Sequence, residues 1–351
     1  MMKALVFRGP YDVRELHRYR GHSKINMEPG YVCGHEGVGT VHKVGSQVKN
    51  FTSGDHVIVP CIISCKECFH CKRGVHGRCK QVETFGVPAL DGSLAQYFRV
   101  PLANRNLYRL PEDQDLGELA VLMTDIFPTA YNGAKQAFQD TPPDEWKNMA
   151  IAVIGCGPVS LCAIIAAREY KPARIFAIDS NPHRLELAKT IGCLPINFHS
   201  EDPKDIINQA TNSNGVHAVI EGVGLSPALR TAYDIICPGG KISSFGKSIH
   251  IGLDNCAYSD FTTGVHNGEL PFTAAECYDK DIHIRFGRLP LHAVFEDALA
   301  VLVRNKDLIT KLSLIDLVVP ALDESFSDAL SRFEKGELTK VVFKPNGLCL
   351  D

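Results

Sequence analysis

The sequence predicts an α/β protein, a doubly wound parallel sheet joined to a smaller β domain, and three observations carry that expectation. Residues 149–179 read as β-branched strand, glycine turn, helix-forming run, second strand and terminal acid, the order of a dinucleotide-binding fold. Beyond residue 179 apolar runs of strand length alternate with helical patterns, as in parallel sheets built from crossover units. Up to about residue 130 the chain is instead a series of short Val- and Gly-containing runs separated by turn residues, and it reads as β structure.

Taken in order, residues 3–7 form an opening strand that stops at Gly9-Pro10. Strands follow at 37–44, 56–60 and 94–101, and a polar, proline-bearing stretch at 140–147 leads into the nucleotide fold. In the turn Gly155-Cys156-Gly157-Pro158-Val159-Ser160, Gly155 permits the tight bend and Gly157 lets backbone approach a pyrophosphate. Pro158 and Val159 open a helix whose N-terminal amides and dipole favour an anion. Asp179 ends the second strand, where a carboxylate accepts hydrogen bonds from the adenosine ribose hydroxyls and repels a 2′-phosphate. Ser180 and Asn181 are neutral and the nearest cation, Arg184, is a helical turn further on, so the expected cofactor is NAD rather than NADP. Asn181 caps a helix over 183–191 that Gly192 ends. Then come a helix near 204–210, a strand at 218–221, a helix at 227–236, a Pro238-Gly239-Gly240 turn and a strand at 241–245. A helix over 291–305 and a last strand at 340–343 return to the β domain. The expected domains are therefore 1–130, with a metal lobe at 61–80; a nucleotide-binding domain at 131–288; and a completing segment at 289–351. Cofactor and substrate are expected in the cleft between the two domains.

The chain has 351 residues, 45% hydrophobic and 22% charged, with a formal net charge of −3. That is room for two domains, and it gives no general attraction for nucleic acid or an anionic membrane. The opening segment is broken too early for a secretory signal and no run has membrane-spanning length, so a cytoplasmic location is expected. Thirteen cysteines without a secretory signal favour reduced thiols and metal ligands over disulfides.

Four of those cysteines, Cys65, Cys68, Cys71 and Cys79, lie within fifteen residues in a C-x2-C-x2-C-x7-C pattern among Lys and Gly. Such a stretch cannot be a packed core and suits tetrahedral zinc closed by sulfur. A zinc ribbon that binds nucleic acid is the competing reading, drawn from Lys66, Lys72, Arg73, Arg78 and Lys80. A single lobe in an acidic chain weighs against it. A second constellation is Gly34-His35-Glu36-Gly37, with Asp125 in the later run Thr124-Asp125-Ile126-Phe127-Pro128-Thr129. Imidazole and carboxylate are ligands of open zinc sites, which polarise an alcohol oxygen.

The chain resembles the zinc-containing medium-chain dehydrogenase/reductase (alcohol dehydrogenase) family along nearly its whole length. The likeness rests on the Gly-His-Glu of 34–36, the Gly-Asp of 54–55, the four-cysteine lobe and the Gly-x-Gly-Pro-Val turn. Thr84-Phe85-Gly86 with Asp91-Gly92 and the run from Lys340 to Pro345 extend it. The 124–129 segment is similar to the branch that includes glutathione-independent formaldehyde dehydrogenase, with aspartate as third catalytic-zinc ligand. The resemblance implies a GroES-like β-barrel domain plus a Rossmann domain, and a small alcohol or aldehyde hydrate as substrate. It implies His35 and Asp125 as zinc ligands, Glu36 as an alternate or supporting ligand, and Thr129 lining the nicotinamide site. The four cysteines would hold structural zinc, and family members are commonly homodimers or homotetramers.

The match fails at the family's first catalytic ligand, a cysteine ahead of a Leu-His…Tyr-Arg-Gly tail. The tail is present as Leu16-His17-Arg18-Tyr19-Arg20-Gly21, with His17 at the position of the family's proton-relay histidine, but Asp12-Val13-Arg14-Glu15 stand in front of it. Roughly 20–30 residues of strand and turn are missing, so the barrel is expected to be incomplete at its N-terminus and less stable than a full-length relative. Three explanations fit: an exon lost from an active parent or a faulty gene model, a catalytically silent NAD- and zinc-binding homologue acting as a binding or regulatory protein, or a rebuilt site. For the last, Cys33 lies two residues before His35 and on one face with it in an extended strand, while Asp12 and Glu15 offer oxygen. A zinc-free quinone reductase of the same superfamily is disfavoured by the intact cysteine lobe.

Overall fold

The computed structural model describes residues 30–245, 270–319 and 325–344. The expected strand at 3–7, the segment around His17 with Asp12 and Glu15, and the missing-strand expectation all fall outside the described residues. The described chain separates into two units, one of residues 30–125, 290–319 and 325–344, the other of residues 126–245 and 270–289.

In the first unit β1 (Gly37–Thr40) pairs antiparallel with β2 (His56–Val59), and β2 with β5 (Tyr108–Arg109). A two-stranded pair, β3 (Ile62–Ile63) and β4 (Glu83–Thr84), brackets the cysteine lobe and its short helix α1 (Phe69–Lys72). Val57, Val59, Ile63, Phe85 and Leu90 form the core beneath these strands. Helices α2 (Ala103–Asn106), α9 (Leu291–Arg304) and α10 (Lys306–Lys311) and the parallel pair β12 (Leu317–Val319) with β13 (Val341–Phe343) complete the unit with α11 (Ser325–Glu334). The strand expected at 94–101 is not formed. The amides of Gly92, Ser93 and Leu94 donate instead to the carbonyls of Val32, Gly34 and Cys33, so this stretch serves as a strap over the irregular segment before β1.

The second unit is a six-stranded, all-parallel sheet in the order β11-β10-β9-β6-β7-β8. These strands are β6 (Ala150–Ile154), β7 (Arg174–Asp179), β8 (Leu194–Asn197), β9 (Val216–Glu221), β10 (Ile236–Ser244) and β11 (His283–Phe286). Every residue of β6 is buried, as a central parallel strand covered on both faces must be. Helices α3 (Ile126–Phe138), α4 (Pro158–Arg168), α5 (Pro182–Thr190), α6 (Pro203–Ala210), α7 (Ser226–Ile235) and α8 (Ala274–Lys280) accompany it. Three helix starts follow directly from composition: Asn181 accepts from the amides of His183 and Arg184, Asp202 from Lys204, and Thr273 with Glu276 makes a reciprocal capping box. The turn expected at 238–240 lies within β10, whose register against β9 shifts between Ile236 and Lys241. Gly239 takes the shift with φ +72°, an irregularity that glycine tolerates at little cost. The architecture is a GroES-like domain with a Rossmann-like parallel sheet.

Candidate functional site

The cysteine lobe is organised by its own backbone. Cys65 Sγ lies 3.4 Å from Cys79 Sγ, Cys68 Sγ lies 4.0 Å from Cys79 Sγ, and the four sulfurs all fall within 4.8 Å of one another. A zinc tetrahedron with Zn–S near 2.3 Å has S···S edges of about 3.8 Å, so the donor set fits. Amides point at the sulfurs: Cys65 and Gln81 donate to Cys79, each at 3.3 Å, and Cys68 donates to Cys65 at 3.4 Å. The Lys80 and Cys71 amides hold the Cys68 thiol down to about 6, whereas burial pushes Cys71 up to about 12. A cation at the centre would favour the thiolate at all four. Lys72, Arg73, Arg78 and Lys80 are exposed, while Lys66 lies 5.2 Å over the Tyr108 ring. No disulfide joins the described cysteines.

Behind the lobe α9 presents His292, whose Nδ1 lies 2.8 Å from the Tyr108 hydroxyl and whose ring meets His76 edge-on. Burial, then the neighbouring Lys66 and His76, push the His292 imidazole down to about 2.

The second donor cluster is His35, Glu36 and Asp125, with one ligand atom of each within 4.8 Å of the others. His35 Nε2 stands 3.3 Å from Asp125 Oδ2, close to the roughly 3.4 Å edge of a tetrahedron with 2.0–2.2 Å metal–N/O bonds. The donor set therefore fits zinc. Its placement is local chemistry. Gly34 has φ +93°, a conformation suited to glycine, and it turns His35 out of the line of Cys33. A β-carbon on Gly92 would overlap the carbonyls of Gly34 and Cys33, and Asp91 Oδ1 accepts from Val32 N at 2.8 Å. Asp125 follows the 3-10 stretch Gly117–Thr124, and the Cys61 amide donates to Thr124 O at 2.9 Å. Glu36 is ion-paired with Lys340, brought by the segment entering β13.

Cys33 is fully buried and packs with Tyr31 and Leu94, and the backbone between it and His35 is not a continuous extended strand, since Gly34 has φ +93°. Sequence reading missed Cys61, which is 2% exposed and whose amide donates to Thr124 O, the carbonyl directly before Asp125. Burial first, then the charges of Asp125 and Glu36, push that thiol well above its usual range. Nothing in the sequence ties Cys61 to a partner 64 positions away, except that it directly follows the β2 strand and Pro60.

In the parallel-sheet unit, Gly155 has φ +80° and its amide donates to Ile178 O at 2.8 Å. A β-carbon there would lie 2.7 Å from Val223, whereas one on Gly157 would meet nothing within 4 Å. Gly157 is the N-cap of α4, and no side chain caps that helix. The open space over Gly157 and the uncapped amides behind Pro158 and Val159 suit an anion, so the turn fits a dinucleotide pyrophosphate. Asp179 is only 7% exposed. Its Oδ2 accepts from Cys156 N at 2.6 Å, and its Oδ1 from Ser180 N and Asn181 N at 2.7 and 2.8 Å. This carboxylate therefore locks the glycine turn to the end of β7. Glu221, which sequence reading also missed, does the same at the end of β9, on the other side of β6: it accepts from Val223 N, Gly224 N and Ser244 Oγ at 2.7, 2.6 and 2.6 Å. Arg184 is half-buried on α5, and Thr129 is buried on α3. His17 lies outside the described residues.

Residues 9–112 match the alcohol dehydrogenase GroES-like domain family and residues 158–302 the zinc-binding dehydrogenase family. Zinc-type alcohol dehydrogenase B of Aspergillus flavus is 40% identical over 94% of this chain and 72% of its own length. The medium chain reductase/dehydrogenase ucsI of Acremonium sp is 37% identical over 79% of this chain and 98% of its own. Among solved structures, alcohol dehydrogenase TADH from Thermus sp. ATN1 superposes with a TM-score of 0.78 at 32% identity, covering 97% of this chain and 89% of that one. Among the described residues no helix is long and apolar enough to cross a membrane.

Proposed function

The chain belongs to the zinc-type medium-chain alcohol dehydrogenase family, and on that premise we propose that it is a zinc-dependent oxidoreductase moving hydride between a small alcohol, or an aldehyde hydrate, and NAD. The observation that carries this is the His35 Nε2–Asp125 Oδ2 separation of 3.3 Å with Glu36 in the same cluster. Zinc at that centre supplies polarisation of the substrate oxygen and a lowered hydroxyl pKa. His35 and Asp125 hold the metal, and Glu36, its charge countered by Lys340, supports them. Thr129 lines the nicotinamide site, and the substrate hydroxyl proton leaves through Thr129 or His17. The turn from Gly155 to Val159 receives the pyrophosphate, and Asp179 faces the adenosine ribose, which favours NAD; Arg184 borders it. Cys65, Cys68, Cys71 and Cys79 hold a second, structural zinc. The Thr124-Asp125-Ile126-Phe127-Pro128-Thr129 run supports the aspartate-ligand branch, formaldehyde dehydrogenase-like, and the altered 12–15 segment supports a deletion from an active parent.

The test is NAD reduction on a panel of primary, secondary and polyol alcohols and formaldehyde, with NADP in parallel, before and after zinc removal. Turnover with NAD that disappears with zinc supports the reading. NAD binding without turnover on any substrate would replace it with a silent NAD- and zinc-binding homologue.

A further inference from the structure

Resting on the dinucleotide reading of the turn that begins at Gly155, we propose that Phe245, the residue directly after β10, is the apolar platform against which the nicotinamide ring packs. In a doubly wound sheet a dinucleotide lies across the carboxyl ends of the strands, one nucleotide over each half. Asp179 ends β7 and marks the adenosine half, so the ends of β9 and β10, on the other side of β6, face the nicotinamide half.

Continuity with the phosphate turn is the first support. Val223, just beyond β9, fills the space over Gly155, where a β-carbon would lie 2.7 Å from it. The preceding Gly222 is tied by its amide to Ile154 O at 2.9 Å, and a β-carbon on Gly222 would meet the Phe245 ring at 3.1 Å. Phe245 therefore stands only two residues across from the pyrophosphate turn. A fitted socket is the second support. A β-carbon on Gly133 of α3 would lie 2.5 and 2.6 Å from atoms of the Phe245 ring, so the ring occupies the space that any side chain at 133 would need. Thr129 is one helical turn earlier on α3, buried beside Gly133 on the same face. The base of the ring is held by backbone: the Phe245 amide donates to Glu221 O at 3.0 Å, and Ser244 Oγ donates to Glu221 Oε2 at 2.6 Å. Phe245 is half-buried. An aromatic ring fixed at its base and along one edge offers a rigid apolar surface, the kind on which another planar ring packs.

Binding titrations with NADH and with ADP-ribose, which has the same adenosine and pyrophosphate but no nicotinamide, read the two halves without turnover. In Phe245→Ala the NADH affinity is expected to fall about tenfold, while ADP-ribose binds as to wild type and so reports an intact turn. Unchanged NADH affinity in Phe245→Ala overturns the platform and leaves the dinucleotide reading standing. If Phe245→Ala loses both ligands, Gly133→Ala decides, since its methyl displaces the ring while alanine favours the helix. A loss confined to NADH in that variant supports the platform; an equal loss of both ligands, or no loss, overturns it. Wild type that binds neither ligand overturns the dinucleotide reading itself, and the role of Phe245 with it.

Discussion

Replacing Asp179 with Ala removes the acceptor for three backbone amides at 2.6, 2.7 and 2.8 Å. The Cys156 amide belongs to a fully buried residue, so losing a charged acceptor there costs about 2–3 kcal/mol. Ser180 and Asn181 are half-buried and their amides regain water, each losing about 0.5–1 kcal/mol. The sum is about 3–5 kcal/mol. The chain has one tryptophan, Trp146, in the same parallel-sheet unit, with its indole N–H on Thr141 O at 2.9 Å. Its fluorescence during denaturant unfolding therefore reports the unit in which Asp179 sits. Asp179→Asn keeps one acceptor oxygen and is expected to lose about half as much, which leaves enough folded protein to measure cofactor preference. If Asp179 disfavours a 2′-phosphate, removing its charge shifts the NAD-to-NADP affinity ratio by about 1–2 kcal/mol, roughly tenfold. A loss below about 1 kcal/mol in Asp179→Ala would refute the locking role, and an unchanged cofactor ratio in Asp179→Asn would refute the charge argument.

His292 should make stability acid-sensitive. Its folded pKa of about 2 lies below the ordinary 6.5, so the unfolded chain binds the proton first and stability falls as pH drops below 6.5. At a pH about one unit below that value the loss is about 1.4 kcal/mol. The drop should shrink by that amount in His292→Gln, and equal drops in both proteins would contradict it. Gly92→Ala, whose new β-carbon meets the carbonyls of Gly34 and Cys33, should displace His35 and cost the zinc of that centre while the lobe keeps its own. Full metal content in that variant would show that the strap does not position His35. Cys79→Ser replaces the sulfur that the Cys65 and Gln81 amides approach with a hydroxyl, a poor zinc ligand, and should release lobe zinc and open residues 61–80 to protease. Unchanged proteolysis would count against a structural metal there.

How much could be read beforehand follows from how local each cause is. The alternation of strands and helices, the Asn181 cap and the four-cysteine spacing are short-range features, and they appear where the sequence pointed. The strand expected at 94–101 failed because its pattern of alternation is shared by a strap whose amides are claimed by residues 32–34, a pairing no local pattern reveals. The Pro238-Gly239-Gly240 turn became an irregularity inside β10, since parallel pairing with β9 and β11 outweighed its local turn preference. Cys33 looked placed to share a face with His35 only under the assumption of extended backbone, which Gly34 breaks. Lys340 beside Glu36 and Cys61 beside Asp125 were invisible because they depend on tertiary closure across distant segments.

The most direct test is the zinc content of purified, chelator-washed wild-type protein by elemental analysis. Two zinc ions per chain are expected, one in the four-cysteine lobe and one at His35 and Asp125. One per chain would mean that the lobe alone is filled, and it would contradict a dehydrogenase centre in this protein.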